Sequence, residues 1–325
     1  MRAQSPVAPK NGFPWRYARP AVALSLLLFA TPSGFGGPAA FDSSRLAELY
    51  ERMSAPQYAI GTKLVSLLGI SPGSSVLDLG CGTGQLTSAI ARIAGPRGNV
   101  LGMDPSSYRI AIAERRARKG LSFAVGGSDD LPRLAPRSFD VVCLNYVFHW
   151  IDDRRQALEA IHRILKPGGK LGISFEDTSR PAELDEIIEQ SAKEVLGTLP
   201  PGLFLETAPL GLAPLKEMLR KSGFQVVVIE KVASEDRAKS PEELLAFWRA
   251  SSAGRFLSGV SESTRRRILH RIEQRLAAAE TGQGIRITSE TLLLVAVRSG
   301  APEMQARSAG SLGKRCRVIN RASRR

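Results

Sequence analysis

The sequence predicts an α/β protein built on a doubly wound parallel sheet, and three observations carry that prediction. Short apolar runs at 76–79, 99–104, 121–125, 138–145 and 170–175 alternate with longer helical patterns. That alternation is the signature of βαβ units whose sheet is covered on both faces. The stretch from Ser75 to Thr87, SVLDLGCGTGQLT, reads as a buried strand, a turn with three alternate glycines (Gly80, Gly82, Gly84) and the opening of a helix. This is the geometry in which a backbone approaches a bound nucleotide or nucleoside closely, where a β-carbon would meet the ligand or force a disallowed backbone angle. Finally, 325 residues with 43% apolar and 23% charged content suit a soluble globular core.

Taken in order, residues 1–40 begin basic and then pass through an apolar run at 21–30. Ten such residues are too few to span a bilayer, which needs about 20. The outline fits a signal peptide with a proline-interrupted cleavage site, or a reading frame opened too far upstream. Globular sequence starts at Phe41. Ser43 or Ser44 can cap a helix through Met53, and 55–68 reads as a second helix stopped by Gly69. After the opening strand, a helix over 85–93 ends in Gly95-Pro96-Arg97-Gly98, and 99–104 is a second strand finishing on Asp104. Ser106 or Ser107 opens a helix over 107–119 closed by Gly120; 121–125 and 138–145 are the third and fourth strands. Asp152 or Asp153 caps a helix over 153–165, and Lys166-Pro167-Gly168-Gly169 turns into the strand at 170–175.

Residues 177–211 are partly helical, a helix at 213–221 and a strand at 224–231 resume the alternation, and Ser240-Pro241-Glu242-Glu243 starts a helix strongly. Two helices, about 241–258 and 262–280, stand where alternation predicts a strand, so they read as a helical lid at the sheet's carboxyl edge before the last strand, 288–298. Residues 299–325 lack periodicity and read as a disordered basic tail.

The net charge of +14 belongs to the ends of the chain. Residues 1–40 hold four basic residues and no acid, and 299–325 hold seven against Glu303 alone, which leaves +4 for 41–298. Cys81, Cys143 and Cys316 offer neither a disulfide framework nor paired metal spacing, and His149, His162 and His270 form no cluster.

The glycine turn selects among nucleotide ligands. A phosphate-binding P-loop needs Gly-Lys-Ser/Thr, which Gly84-Gln85-Leu86 fails, and the dinucleotide fingerprint needs G-x-G-x-x-G where this chain has G-x-G-x-G. Asp104, twenty residues after Gly84, can accept hydrogen bonds from both hydroxyls of a ribose. NAD and S-adenosylmethionine both carry that ribose; the spacing disfavours NAD.

The run Val76-Leu77-Asp78-Leu79-Gly80-Cys81-Gly82-Thr83-Gly84 resembles the first motif of class I S-adenosylmethionine-dependent methyltransferases. Asp104 matches their second-strand acid, and Gly126-Gly127-Ser128-Asp129-Asp130-Leu131-Pro132 resembles their adenine-contacting segment, with Gly127 where an acid is usual. Residues 138–142 and Leu165-Lys166-Pro167-Gly168-Gly169 resemble the later strand motifs, so the resemblance covers about 41–298. It implies a Rossmann-like seven-stranded sheet with the last strand antiparallel, N-terminal helices, and lid insertions at about 177–211 and 240–281. It also implies S-adenosylmethionine as cofactor, held by Asp78, Gly80, Cys81, Gly82, Gly84, Asp104, Pro105, Ser128, Asp129 and Asn145. Leu49-Tyr50-x-x-Met53-x-x-x-Gln57 and Phe148-His149-Trp150-Ile151 are similar to small-molecule carboxylate methyltransferases of the juvenile hormone acid and trans-aconitate type. That likeness implies that Gln57 and Trp150 hold a substrate carboxylate.

A sulfonium methyl donor is already activated, so such an enzyme has to align the acceptor and exclude water. A carboxylate is ionised at neutral pH and needs no base, whereas an alcohol or phenol would need one, for which His149 is the best-placed residue. His149 reads equally as a histidine packed beside Trp150. A different class of reading, a nucleic-acid-binding protein using its basic tails, lacks interleaved aromatics and any binding module, and Asn145-Tyr146-Val147-Phe148 lacks the prolines of nucleic-acid amino-methyltransferases. Because the cofactor is made in the cytosol, the expectation is a cytoplasmic enzyme acting on a small molecule, with weak membrane tethering through residues 20–30 left open.

Overall fold

The computed structural model describes residues 42–176, 183–199, 210–257, 259–278 and 284–299. The apolar run at 21–30, the basic tail beyond 299 and Cys316 lie outside the described residues. Two helices precede the sheet. In α1 (Ser44–Met53) the Ser43 side chain accepts from the Leu46 N–H, and α2 (Ala55–Leu68) starts with proline in its first turn and stops at Gly69 in the left-handed region. Then β1 (Ser75–Leu79), α3 (Gln85–Ala94), β2 (Asn99–Asp104), α4 (Ser107–Ala113), β3 (Leu121–Val125), β4 (Phe139–Asn145), α5 (Arg154–Ile164) and β5 (Leu165–Glu176) alternate. The chain continues through α6 (Glu183–Leu196), α7 (Leu212–Lys221), β6 (Phe224–Ala238), α8 (Pro241–Ser251), α9 (Glu262–Ala278) and β7 (Ile285–Arg298).

The seven strands form one sheet in the order β3-β2-β1-β4-β5-β7-β6. Neighbours from β3 to β5 are parallel, and β7 runs antiparallel to both β5 and β6, so the expected antiparallel last strand is present. Strand order reverses between β1 and β4, which opens a crevice beyond their carboxyl ends. On one face of the sheet, α5 and α7 bury Leu158, Ile161, Leu215 and Leu219; on the other, α2 and α3 bury Leu64, Leu68, Leu86 and Ile90. A third apolar cluster joins α6, α8 and α9 through Ile188, Leu244, Ile268 and Ile272, and it closes on Ala238 and Ile285 at the far end of the β6–β7 ladder.

Four elements depart from the sequence reading. The helix expected over 107–119 ends as α4 at Ala113 and tightens into a 3-10 turn, Glu114–Arg116. The apolar repeat stops at Ala113, and Arg116 is pulled across to pair with Glu51 of α1. The helix expected to reach 258 ends at Ser251 (α8), where Ala253 and Gly254 take positive φ. The strand expected to stop at 231 runs on to Ala238, because Val232 to Ala238 pair with Thr291 to Ile285 of β7. Its outer half is polar and follows the hydrogen-bond ladder, which hydrophobic patterning does not register. The Lys166–Gly169 turn lies inside β5, between the Phe139–Leu165 and Val141–Lys170 pairs, as a register shift. Among the described residues no helix is long and apolar enough to cross a membrane.

Candidate functional site

The glycine turn stands at the crevice mouth. The N–H groups of Gly80 and Cys81 both donate to the Met103 carbonyl (2.7 and 2.9 Å), which binds the turn to the end of β2. Gly80, Gly82 and Gly84 have φ of 73°, 55° and 81°, the left-handed region where a side chain is strained. A β-carbon would lie 2.2 Å from Val147 Cγ2 at Gly80, 3.0 Å from Tyr50 Cε1 at Gly82 and 2.7 Å from Phe123 Cε1 at Gly84. The exclusion expected from a ligand is thus already imposed by the protein's own side chains.

Two buried acids flank the turn. Asp78, 2% exposed at the end of β1, accepts from Thr87 Oγ1 at 2.7 Å. Burial pushes its carboxyl up to about 7, against the pull of the Thr87 hydrogen bond, and the nearby Asp104 adds to the rise. Asp104 accepts from the Gly82 N–H on Oδ2 and the Ser106 N–H on Oδ1, each at 2.9 Å. Burial raises its pKa, opposed by the Arg109 guanidinium and those two N–H groups. Internal donors therefore already meet part of the cost of burying each acid, so burial alone does not demand a ligand.

A cleft enclosing about 370 Å³, counted to its open mouth, lies beside the turn. Of the residues singled out in the sequence, Gln57, Asp78, Gly80, Cys81 and Asn145 line it. Asn145 is held from both sides: its Nδ2 donates to the Gln57 carbonyl at 3.0 Å and its Oδ1 accepts from Ser174 Oγ at 2.7 Å. Gln57 Oε1 is buried with no hydrogen-bond partner among the described residues. Gly82, Gly84, Asp104 and Pro105 stand behind this wall, in the turn and at the end of β2. Ser128 and Asp129 lie farther out, in a 3-10 turn after β3, where Asp129 is exposed and Asp130 takes the Gly127 N–H at 3.0 Å.

His149 and Trp150 follow β4 in a 3-10 turn and are not among the residues lining the cleft. Their rings pack 5.1 Å apart, and Arg255 stands 5.3 Å from the Trp150 ring centroid. Burial, with the charge of Arg154, pushes the His149 imidazole down to about 4, so the ring is neutral at pH 7. Cys81 and Cys143 are buried free thiols raised well above their usual range by burial, and both pack as small apolar groups.

Sequence reasoning missed much of the wall: Tyr50, Ser54, Tyr58, Thr83, Gln85 and Leu86 also line it. In the sequence Tyr50 stands out only as part of a spacing pattern; burial pushes its phenol up to about 12, so it remains a neutral donor. The buried pair Asp42–Arg109 behind Tyr50 was also missed. Its one local signal is an arginine set among apolar residues in Ser107–Ala113, SYRIAIA.

A nucleoside cofactor with a sulfonium suits these residues. Gly80 and Cys81 bring the turn's backbone to the cleft wall, and Asp78 presents an acid there to face a positive group. Among the described residues no group of His, Cys, Asp and Glu could hold a metal ion.

Comparison with known proteins agrees. A family model described as a methyltransferase domain matches residues 77–173. The chain is 32% identical over 212 residues to a demethylmenaquinone methyltransferase of Lactobacillus johnsonii, covering 58% of this chain and 85% of that protein. It is 34% identical over 142 residues to the chloroplastic 2-phytyl-1,4-beta-naphthoquinone methyltransferase of Arabidopsis thaliana (40% of this chain, 54% of that one). It is 35% identical over 139 residues to an arsenite methyltransferase of Aquipseudomonas alcaligenes (40% and 39%). The solved YcgJ protein of Bacillus subtilis shares the fold, with a TM-score of 0.51 at 15% identity over 74% of this chain and 98% of that one.

Proposed function

The chain belongs to the class I S-adenosylmethionine-dependent methyltransferases, and from that membership we propose that its acceptor is a hydroxylated fused aromatic ring of the naphthoquinol class, methylated at carbon. The observation that carries this reading is the 32% identity to a demethylmenaquinone methyltransferase over 85% of that relative's length. The composition of the cleft supports it. Its lining offers two tyrosines, two glutamines and an asparagine, one carboxylate and no lysine or arginine. An anionic acceptor would find no cationic side chain there, whereas a neutral ring with hydroxyls finds both packing and hydrogen bonds.

The cofactor, when bound, supplies an electrophilic methyl group on a sulfonium. The glycine turn and Asp78 would hold that positive group at the end of β1, while Asp104, whose two oxygens take the Gly82 and Ser106 N–H groups, braces the turn from behind. Gln57 Oε1 would accept from a ring hydroxyl, which raises electron density at the neighbouring ring carbon, and the hydrogen which that carbon gives up on methylation would leave as a proton to water. Asn145, fixed by Ser174 and the Gln57 carbonyl, keeps α2 and β4 at a constant separation, so the acceptor is aligned rather than activated by a strong base. Tyr50 and Leu86 close the apolar side against water.

Carboxylate O-methylation, implied by Gln57 and Trp150, is the second reading, and its support is the position of Gln57 on the cleft wall. Incubation of the full chain with methyl-labelled cofactor separates the two. The acceptor panel is a reduced naphthoquinone lacking its ring methyl, simple phenols, arsenite and tricarboxylic acids. Label that enters the naphthoquinol and survives base hydrolysis is the expected result. Base-labile label confined to the acids would overturn the proposal in favour of ester formation.

A further inference from the structure

Arg109 is a buried cation whose side chain meets three residues from separate parts of the chain. Its side chain is 8% exposed, and its Nε donates to Asp42 Oδ2 at 2.9 Å. Its Nη2 donates to the carbonyl of Ala250, in the last turn of α8, at 2.6 Å. The face of its guanidinium lies over the Tyr50 ring, 4.3 Å from the centroid. Asp42 Oδ2 also accepts from Ser106 Oγ at 2.7 Å, and the Ser106 N–H donates to Asp104 Oδ1. Each contact uses a different part of the guanidinium: Nε for the carboxylate, Nη2 for the carbonyl, and the cationic centre over the ring. A lysine ammonium, a point charge without plane or fork, cannot make all three.

The two ends of this network have different roles. Tyr50 lines the cleft and packs 3.0 Å from where a β-carbon of Gly82 would stand, while Asp104 anchors the same turn through the Gly82 N–H. Ala250 belongs to the helices inserted between β6 and β7, which share an apolar cluster with α6 and the end of the β6–β7 ladder, while α8 also packs on α1. We propose that Arg109 is a positioning residue that latches the C-terminal end of α8 to Tyr50 and to the Asp104 end of the glycine turn, so that the seating of the inserted helices and the shape of the cofactor cleft change together. The link is reciprocal: whatever binds the cleft and orders Tyr50 and Asp104 also holds α8 down, and loosening α8 weakens binding by the same factor. The inference rests on the cofactor reading above, and its test keeps the two apart.

The test uses the full chain, calorimetric titration with S-adenosylmethionine, and hydrogen exchange along the backbone. In the wild type the cofactor slows exchange in both α1 and 241–251. Arg109→Lys keeps a charge beside Asp42 but gives up the plane and the second donor. The expected result is a ten- to hundredfold weaker cofactor affinity, the loss expected when hydrogen bonds to a charged group are removed. Cofactor-induced protection of 241–251 is lost, while exchange in β1 and β4 and the KM for the acceptor stay unchanged. If the lysine variant lacks a cooperative melt, Asp42→Asn, nearly the same shape without the charge, takes its place with the same expected pattern. Affinity within twofold of the wild type with α8 protection intact overturns the proposal. So does weakened binding accompanied by faster exchange throughout the sheet, the mark of a residue that only stabilises the fold. Should the wild type not bind the cofactor, the cofactor reading fails; the latch is then judged on the unliganded chain, where the variant must speed exchange in 241–251 and α1 together.

Discussion

Replacing Asp78 by asparagine should make the unliganded protein more stable and a poorer binder of its cofactor. The carboxyl is 2% exposed and is held at about 7 instead of its ordinary 3.8, with burial as the largest cause. A raised native pKa for an acid means that the native state binds the proton more tightly than the unfolded chain does. Stability is therefore full below about pH 4 and is lost as pH rises through 7. At about 1.36 kcal/mol for each pH unit of difference, that loss reaches about 4 kcal/mol by pH 8. Asparagine reproduces the protonated form: its carbonyl oxygen can still accept from Thr87 Oγ1, and nothing ionises. Urea unfolding at a series of pH values measures the difference between variant and wild type, expected to grow from near zero at pH 4 to about 4 kcal/mol in favour of the variant at pH 8. His149 acts with the opposite sign, since its depressed pKa removes stability as pH falls from 6.5 towards 4, but it is common to both proteins and cancels. A difference that stays flat with pH, or a variant less stable than wild type at pH 8, would refute the reasoning.

Other substitutions probe separate parts of the account. Gly80→Ala places a β-carbon 2.2 Å from Val147 Cγ2 at a φ of 73°, and should cost about 3 kcal/mol in chemical denaturation; an unchanged midpoint would contradict this. Gln57→Ala removes the unpartnered acceptor at the cleft wall and should raise the acceptor's KM about tenfold with the cofactor's KM unmoved, as steady-state kinetics with each substrate varied will show. His149→Gln should change kcat by less than about threefold and leave the pH–rate profile between pH 6 and 9 the same as that of the wild type. That ring is already neutral in this range and stands apart from the cleft lining; a lost ionisation or a hundredfold drop would restore it as a base.

What the sequence disclosed was local and periodic. Apolar runs closed by glycine or proline delimit β1 to β3, and the three alternate glycines mark a turn in which each glycine takes a positive φ. The reason for those glycines was legible in kind but not in partner: Val147, Tyr50 and Phe123 occupy the space assigned to a ligand, and only a folded chain brings them there. Gln57 and Asn145, 88 residues apart, were each picked out, yet nothing in the sequence shows that the amide of one bonds the carbonyl of the other. Arg109 is the clearest case of what patterning hides. Its partners Asp42 and Ala250 lie 67 and 141 residues away, and nothing in the local run SYRIAIA points to either of them. The outer half of β6 stayed hidden for a related reason, since its pairing with β7 depends on backbone hydrogen bonds and not on apolar alternation.

The central claim, that the turn between β1 and α3 cradles S-adenosylmethionine, is tested most directly by equilibrium titration of the full chain with that cofactor, beside the Asp78→Asn variant. The account predicts saturable binding at one site per chain, weakened about tenfold or more in the variant by loss of the charge facing the sulfonium. Absence of saturable binding, or equal affinity in the two proteins, would contradict it.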